Sequence, residues 1–258
     1  DTVLSRGLGD VYKRQLDKKN IEAAVEGSLK RLNTDYIDLY QLHWPDRPLN
    51  IFGGGLGAYK HYDLESIEIS ETLEVLSEIV KTGKVRNIAL SNETPWGLSE
   101  FINKSETLNF PRVQSVQNAY NLLNRTYEYG MSEFAHRSSV GLLAYSPLAQ
   151  GYLSGKYLNG AMPKGSRTQL FGRGQRYETP AAEKSIQAYV DYAKKIDMDP
   201  SVMANAFVNS RDFVTSNIIG ATTMEQLKLA IGSWEVKLSE EDFKEFDTIH
   251  AALSLIHI

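Results

Sequence analysis

Polar side chains stand at the ends of five predicted strands, where they could bind and orient a small molecule. They bring an imidazole, hydroxyls, carboxamides and a phenol, which donate and accept hydrogen bonds. Any one of them could be an ordinary loop residue, but five strand ends in succession favour one shared site. The groups are His43, Ser91-Asn92, Gln117-Asn118, Tyr145-Ser146 and Gly220-Ala221-Thr222.

The elements that must position these groups alternate between strands and helices. Apolar residues at helical spacing, such as Ile21, Val25 and Leu29, predict a first helix over Lys18–Leu32. Strands are predicted at 36–43, 85–90, 113–117, 141–145 and 216–220. Further helices are predicted at 73–80 and 127–136, and after the cap signals Thr94-Pro95, Thr179-Pro180, Asp199-Pro200, Thr222 with Glu225, and Ser239 with Asp242.

Repeated βα units indicate an α/β protein with parallel strands, for which two architectures are open. One is an open, doubly wound sheet and the other is part of a (β/α)8 TIM barrel. The Gly-x-Gly-x-x-Gly fingerprint of dinucleotide-binding sheets follows none of the predicted strands, and Gly53-Gly54-Gly55 lies inside a long loop. Because barrel enzymes place their active sites at the C-terminal strand ends, the polar groups favour a partial barrel.

Composition excludes several classes of protein. The chain has no cysteine, which excludes a disulfide scaffold, a thiolate metal site and a cysteine nucleophile. Its formal net charge of -4 gives no broad positive field for nucleic acid. No apolar run approaches the roughly 18 residues of a membrane-spanning helix. We therefore expect a cytoplasmic enzyme or small-molecule-binding domain without a metal.

The two ends of the chain are predicted to be flanks that do not belong to the fold. The codons CTG TCT CTT ATA CAC ATC encode Leu253–Ile258, and their reverse complement encodes Asp10–Gln15. Complementary flanks of this kind are typical of a translated DNA adapter. We therefore expect residues 1–15 and 253–258 to be non-native, and residues 16–252 to be an incomplete barrel without its first strands.

The sequence around the strand ends resembles the aldo-keto reductase family. The resemblance runs through nearly all of residues 16–252, in order, and it covers the family's fourth to eighth barrel strands. Two segments, Asn118–Arg125 and Gly155–Ala161, are similar to the Tas-like branch of that family. The five strand segments are Asp35–Pro45, Gly83–Asn92, Gln117–Asn121, Ala144–Leu148 and Gly220–Leu227.

This resemblance implies an NADP-dependent oxidoreductase that transfers hydride from NADPH to the carbonyl of an aldehyde, ketone or quinone. The family's active site uses an aspartate, a tyrosine, a lysine and a histidine, of which only the histidine is matched here, by His43. His43 would hydrogen-bond to the substrate carbonyl oxygen, and Trp44 would line the substrate pocket. Because three barrel strands and three catalytic groups would be missing, strands four and eight would have unpaired edges, and we expect poor solubility and no turnover from the 258-residue chain.

The resemblance also implies a set of cofactor-binding residues. Ser91, Asn92 and Gln117 would hydrogen-bond to the nicotinamide carboxamide, and Tyr145 would stack on the nicotinamide ring. It also implies contacts from Ser146, Leu148 and Gly151 to the pyrophosphate, with positive charge from Lys156 and Arg167. Thr222 would form an anion site for the 2′-phosphate, and Gln226 would contact the adenine.

The sequence departs from the family pattern at one place. Leu229-Ala230 stands where relatives carry a polar pair toward the adenine, so the adenine contacts differ from that pattern.

Several alternatives also stay open. The loop over 158–177 is either a lid on the cofactor or a mobile surface loop. The chain could be a non-catalytic NADPH-binding regulatory subunit, against which His43 argues, or a barrel enzyme for a phosphorylated sugar.

Overall fold

The computed structural model describes residues 16–49, 65–172 and 177–253 of the 258-residue chain. The predicted Gly53-Gly54-Gly55 loop, most of both predicted flanks and four residues of the predicted lid lie outside the described residues. The described chain forms two compact units, and every strand pairing described below is parallel. The prediction of an α/β protein with parallel strands is thereby confirmed.

The first unit contains residues 16–49, 65–117 and 137–140. Strand β1 pairs with β2, and β2 pairs with β3, with Gln41 opposite Ala89 and Ser91 opposite Gln117. Helix α1 covers the predicted range and is capped by Asp17, whose side chain accepts a hydrogen bond from the Asn20 amide at 2.8 Å. The elements are α1 (Lys18–Leu32), β1 (Ile37–Leu42), α2 (Ile69–Lys81), β2 (Val85–Ser91), α3 (Pro95–Thr107) and β3 (Val113–Ala119), whose last two residues belong to the second unit.

The second unit contains residues 118–136, 141–172 and 177–253. Strands β4 (Gly141–Tyr145) and β5 (Val214–Ile218) pair in parallel, and short 3-10 helices cover Thr126–Glu128, Ala149–Ser154 and Leu158–Gly160. The α-helices are α4 (Met131–Arg137, whose last residue belongs to the first unit), α5 (Arg167–Phe171), α6 (Pro180–Lys195), α7 (Pro200–Asn209), α8 (Met224–Gly232) and α9 (Glu240–Leu253).

The core of the second unit is aromatic and contains a buried ion network. Phe246 of α9 packs edge-to-face on Phe207 of α7, with ring centroids 5.6 Å apart. Beside them, the Arg125 guanidinium donates to both carboxylate oxygens of Glu128, at 2.9 and 2.8 Å, and to Asp247 at 2.7 Å. Burying a charge is costly unless the charge is paired, so these partners are what allow Arg125 to be buried.

Four predicted helix starts are confirmed by their caps. Thr94, Thr179 and Asp199 accept hydrogen bonds from backbone amides of the first turn, and a proline follows each of them. Ser239 and Asp242 cap each other at the start of α9, with the Ser239 amide donating to Asp242 at 2.6 Å. The last helix runs on to Leu253, and residues 254–258 lie outside the described part of the chain.

Three predicted elements are corrected by the structure. The predicted helix over 127–136 is a 3-10 turn followed by α4, because Gly130 takes a left-handed φ of 81° between them. The predicted strand at 216–220 lies two residues earlier, as β5, where Asn217 bonds to Asn205 of α7 at 3.1 Å. Helix α8 is capped by Thr223, not by Thr222 with Glu225, since the Thr223 side chain accepts from the Gln226 amide at 3.2 Å.

Among residues 16–49, 65–172 and 177–253, no helix combines the length and apolar character that a membrane crossing requires.

Candidate functional site

Asn92 joins the ends of three strands in the first unit. It directly follows β2 and takes a left-handed φ of 55°, a conformation that asparagine tolerates better than most residues. Its Nδ2 donates to the His43 carbonyl at 2.8 Å and to Ser91 Oγ at 3.1 Å, and its backbone amide donates to the Gln117 carbonyl at 3.0 Å. The structure therefore brings together four residues that the sequence predicted for one site.

Gln117 is held at this place by both its backbone and its side chain. The β2–β3 register sets it opposite Ser91, whose hydroxyl donates to the Gln117 carbonyl at 2.8 Å. Its side-chain oxygen accepts a hydrogen bond from Gln41 Nε2 at 3.2 Å. The Gln117 carboxamide consequently has a defined orientation.

Gln41 contacts the candidate site through Gln117 and was not among the residues predicted from the sequence. It lies on β1, two residues before His43, and residues two apart in an extended segment point to the same side. That spacing was a usable signal, because a strand otherwise rich in apolar and aromatic residues carries a polar amide in line with the histidine.

His43 and Trp44 follow directly after β1. The centroids of their rings lie 4.3 Å apart, the planes of the rings form an angle of 32°, and His43 is exposed to solvent. Trp44 and Pro45 line a small cavity whose other walls are Leu16, Leu42, Leu90, Ser91, Glu93 and Phe101. The His43 imidazole is exposed beside this mostly apolar cavity, so it could donate a hydrogen bond to a bound carbonyl group.

A buried ion pair joins the segment after β1 to the start of α3. The Glu93 side chain is 2% exposed and pairs with the Arg47 guanidinium, whose Nη1 lies 3.2 Å from Glu93 Oε2. Arg47 also donates to Thr94 Oγ1 at 3.0 Å and stacks on the Trp96 ring at 4.9 Å. Because Asn92 holds the His43 carbonyl, residues 43–47 are attached at both ends to the residues that follow β2.

The remaining predicted site residues belong to the second unit, beginning at the end of β4. Tyr145 is half-buried, and its carbonyl accepts a hydrogen bond from the Tyr120 amide at 3.2 Å. Ser146 has a left-handed φ of 58°, and its carbonyl accepts from Asn121 Nδ2 at 2.9 Å and from the Ala149 amide at 2.8 Å. The backbone after β4 is therefore fixed in a tight turn.

This turn brings Gly151 and Lys156 together. The Leu148 carbonyl accepts from the Gly151 amide at 2.8 Å, and Gly151 has a φ of +96°. A side-chain Cβ at Gly151 would lie 3.3 Å from the Lys156 ammonium, which itself lies 5.1 Å from the Tyr157 ring centroid. The absence of a side chain at Gly151 lets the Lys156 ammonium and the Tyr157 ring pack directly against the backbone of this turn.

Arg167, Thr222 and Gln226 are exposed at their places in the second unit. Arg167 is the first residue of the short helix α5. Gln226 Oε1 accepts hydrogen bonds from the Thr222 amide at 2.9 Å and from the Thr222 hydroxyl at 3.1 Å. These two residues of the predicted adenosine end thus hold each other in place.

The described residues contain no cluster of three or more histidine and carboxylate side chains suited to a metal ion. Their candidate site chemistry consists of uncharged amides and hydroxyls, one imidazole, aromatic rings and exposed cations.

Comparison with known proteins connects this chemistry to a family. The profile described as "Aldo/keto reductase family" matches residues 4–251 of the chain. "Protein tas" of Escherichia coli (strain K12) is 46% identical over 235 residues, which cover 91% of this chain and 68% of that protein. An "Aldo-keto reductase" of Babesia bovis is 38% identical, over 83% of this chain and 79% of its own length. "L-glyceraldehyde 3-phosphate reductase" of E. coli is 30% identical over 82% of this chain and 57% of that protein.

Proposed function

This chain belongs to the aldo/keto reductase family and to its Tas-like branch. We therefore propose that it takes part in the transfer of hydride from NADPH to the carbonyl of an aldehyde, ketone or quinone. The proposal includes a (β/α)8 barrel, of which β1 to β5 would be the fourth to eighth strands. One observation carries it: a single residue, Asn92, donates hydrogen bonds to Ser91 and to the His43 carbonyl through its side chain and to the Gln117 carbonyl through its backbone amide.

The residues of the first unit fit the carboxamide end of a nicotinamide. A carboxamide offers two donors and one acceptor oxygen, and it is best recognised by neutral groups that can do both. Ser91, Asn92 and Gln117 supply a hydroxyl and two amides, with Ser91 and Asn92 only 4% and 8% exposed. These three side chains are themselves uncharged, which suits an uncharged ring.

In the second unit, Gly151 and Lys156 support the assignment of a phosphorylated cofactor. Because Gly151 has no side chain, the exposed Lys156 ammonium lies against the backbone of the turn after β4, and an ammonium is a common partner of phosphate oxygens. Arg167, Ser146 and Leu148 would extend this phosphate contact. We further assign Tyr145 to the nicotinamide ring, Thr222 to the 2′-phosphate and Gln226 to the adenine.

When bound, NADPH would supply the hydride. His43 would donate a hydrogen bond to the carbonyl oxygen of the substrate, which stabilises the negative charge that grows on that oxygen as hydride arrives. The attachment of residues 43–47 at both ends keeps the backbone that carries the imidazole in place. Trp44 would shield the reacting carbon from water on one side.

Binding of NADPH to the purified chain tests this proposal. We expect saturable binding, and we expect Gln117→Ala to weaken it about tenfold, because a buried amide contact contributes on the order of 1 to 1.5 kcal/mol. Gln114→Ala, an exposed position on the same strand, is the matched control and should leave the affinity unchanged. Equal affinities of the wild type and both variants would contradict the assignment of Gln117.

Turnover is a separate question from binding. Of the family's four catalytic groups, the resemblance assigns only His43 to these 258 residues. We therefore expect the chain to bind NADPH without oxidising it when a reactive aldehyde or quinone is added. Carbonyl-dependent loss of NADPH absorbance that exceeds a His43→Ala control would show that other residues complete the site.

A further inference from the structure

Gln41 and Gln117 meet across strand β2, although they lie 76 residues apart in sequence. In the sheet, Gln41 is opposite Ala89 and Gln117 is opposite Ser91, so β2 runs between them. Ala89 and Ser91 are small and lie two residues apart on the same face of β2. Two amides with long side chains can therefore touch over the top of these two residues.

The contact uses only half of the Gln41 amide. Gln41 Nε2 donates to Gln117 Oε1, whereas Gln41 Oε1 is buried and has no hydrogen-bond partner among the described residues. A buried acceptor without a donor is unfavourable, because the acceptor has lost its hydration and gained no hydrogen bond in return. On β3, the hydroxyl of Ser115, two residues before Gln117, is likewise buried without a partner among those residues. Polar groups left in this state are typical of a site that a ligand or an ordered water completes.

We propose that Gln41 is a positioning residue that fixes the orientation of the Gln117 carboxamide at the nicotinamide end of the cofactor site. By donating to Gln117 Oε1, Gln41 holds the oxygen of that amide on its own side. The Gln117 NH2 group is then presented as a donor to the carboxamide oxygen of the nicotinamide. This inference rests on the proposed function for the identity of the ligand, but the orientation itself exists without any ligand.

The orientation is tested first in the chain without cofactor. Nuclear magnetic resonance of side-chain NH2 groups reports hydrogen bonding at each glutamine, and a Gln117→Glu variant assigns the Gln117 signals. We expect Gln41→Leu to shift the Gln117 NH2 protons and to bring the rates of their hydrogen exchange closer to those of exposed glutamines. An unchanged Gln117 signal in Gln41→Leu would overturn the proposal, whatever the chain binds.

The consequence for binding is tested with two ligands, NADPH and 2′,5′-ADP, which lacks the nicotinamide. We expect Gln41→Leu to weaken NADPH about fivefold, the equivalent of one ordinary hydrogen bond, and to leave the affinity for 2′,5′-ADP within about twofold. Gln114→Leu, at an exposed position on β3, should change neither affinity. An equal loss for both ligands would overturn the proposal, because general damage to the fold affects both.

A second variant keeps the test decisive if Gln41→Leu does not fold. Gln41→Asn retains the buried amide but is too short by one methylene to reach Gln117, so it should show the same loss for NADPH alone. Wild-type affinity for NADPH in Gln41→Asn would overturn the positioning role. Failure of the wild-type chain to bind NADPH would instead refute the proposed function, and the signals of Gln117 would still decide the role of Gln41.

Discussion

Gly97 is required by the ion pair beside it. It lies in the first turn of α3, where a methyl group on its Cα would overlap both the Glu93 carboxylate and the Arg47 guanidinium. The Thr94 side chain caps the same turn through the Gly97 amide at 3.2 Å. The bare backbone thus allows a buried carboxylate to lie against the positive end of α3 and to hold residues 43–47 in place.

We expect Gly97→Ala to destabilise the chain by about 2 kcal/mol, within the usual range for inserting a methyl group into a packed site. The measurement is the free energy of unfolding in urea. Gly232→Ala is the matched control, since the space around Gly232 at the end of α8 is open, and it should be neutral or slightly stabilising. Equal stabilities of the two variants would show that Glu93 and Arg47 can move aside without loss.

At the scale of elements, two neighbouring threonines at the start of α8 have different roles. Thr223 accepts from the Gln226 amide and caps the helix, whereas Thr222 donates to the Gln226 side chain. Both threonines fit a cap signal, because Thr222 has Glu225 three residues later and Thr223 has Gln226. The sequence therefore predicted the helix but could not decide which threonine begins it.

We expect Thr223→Ala to lower the free energy of unfolding by about 1 kcal/mol through loss of the cap. Thr222→Ala should cost less than about 0.5 kcal/mol, as is usual at an exposed position. If Thr222 contacts the 2′-phosphate, Thr222→Ala will also weaken NADPH relative to NADH, and Thr223→Ala will weaken both alike. The reverse assignment of these two effects would contradict the structure of this cap.

Most of the elements were predictable from sequence because their signals are local. The caps at Thr94, Thr179 and Asp199 and the apolar spacing of α1 depend on residues within a few positions of one another. The position of β5 was not predictable in this way, because it is set by Asn217 bonding to Asn205 and Asn209 of another element, at 3.1 and 3.0 Å.

The same distinction between local and remote signals decides which residues of the candidate site could be predicted from the sequence. His43, Ser91, Asn92 and Gln117 could be predicted because each follows or ends a strand and matches a family motif. Gln41, Arg47 and Glu93 were missed because their partners are remote: Gln41 and Gln117 are 76 residues apart, and Arg47 and Glu93 are 46 apart. Pairings between distant residues leave no periodic signal in a single sequence.

At the scale of a whole compact unit, the network around Glu128 joins elements that are far apart in the chain. Tyr120 donates to Glu128 Oε1 at 2.5 Å, and the Arg211 guanidinium lies 3.7 Å from the same oxygen. Burial alone would raise the pKa of the Glu128 carboxyl, but hydrogen bonds from Arg125 and Tyr120 and the charges of Arg125 and Arg211 outweigh it and hold the pKa below the ordinary value of 4.5.

This network predicts a dependence of stability on pH. Because the pKa of Glu128 is lower in the folded chain, its contribution is complete above the ordinary glutamate value and is lost as the pH falls through the folded value. We expect Glu128→Gln to lower the free energy of unfolding by about 3 kcal/mol at neutral pH and by less in acid. Urea unfolding at a series of pH values measures this difference.

Asp191→Asn is the matched control for this prediction. Asp191 is 58% exposed and lies 3.7 Å from Lys194, so its removal should change stability by less than about 0.5 kcal/mol. A difference between wild type and Glu128→Gln that stays constant from neutral to acidic pH would contradict a lowered pKa.

The ion pair between Arg125 and Asp247 can form only late in the synthesis of the chain. The two residues are 122 positions apart, and a ribosome adding about 5 to 20 residues per second needs on the order of 6 to 24 seconds to travel that distance. Throughout this interval, the nascent chain has made Arg125 but not the helix that supplies its second carboxylate. The aromatic core of this unit therefore closes late in synthesis, and chaperones that shield unfinished chains have their main opportunity before the last helix emerges.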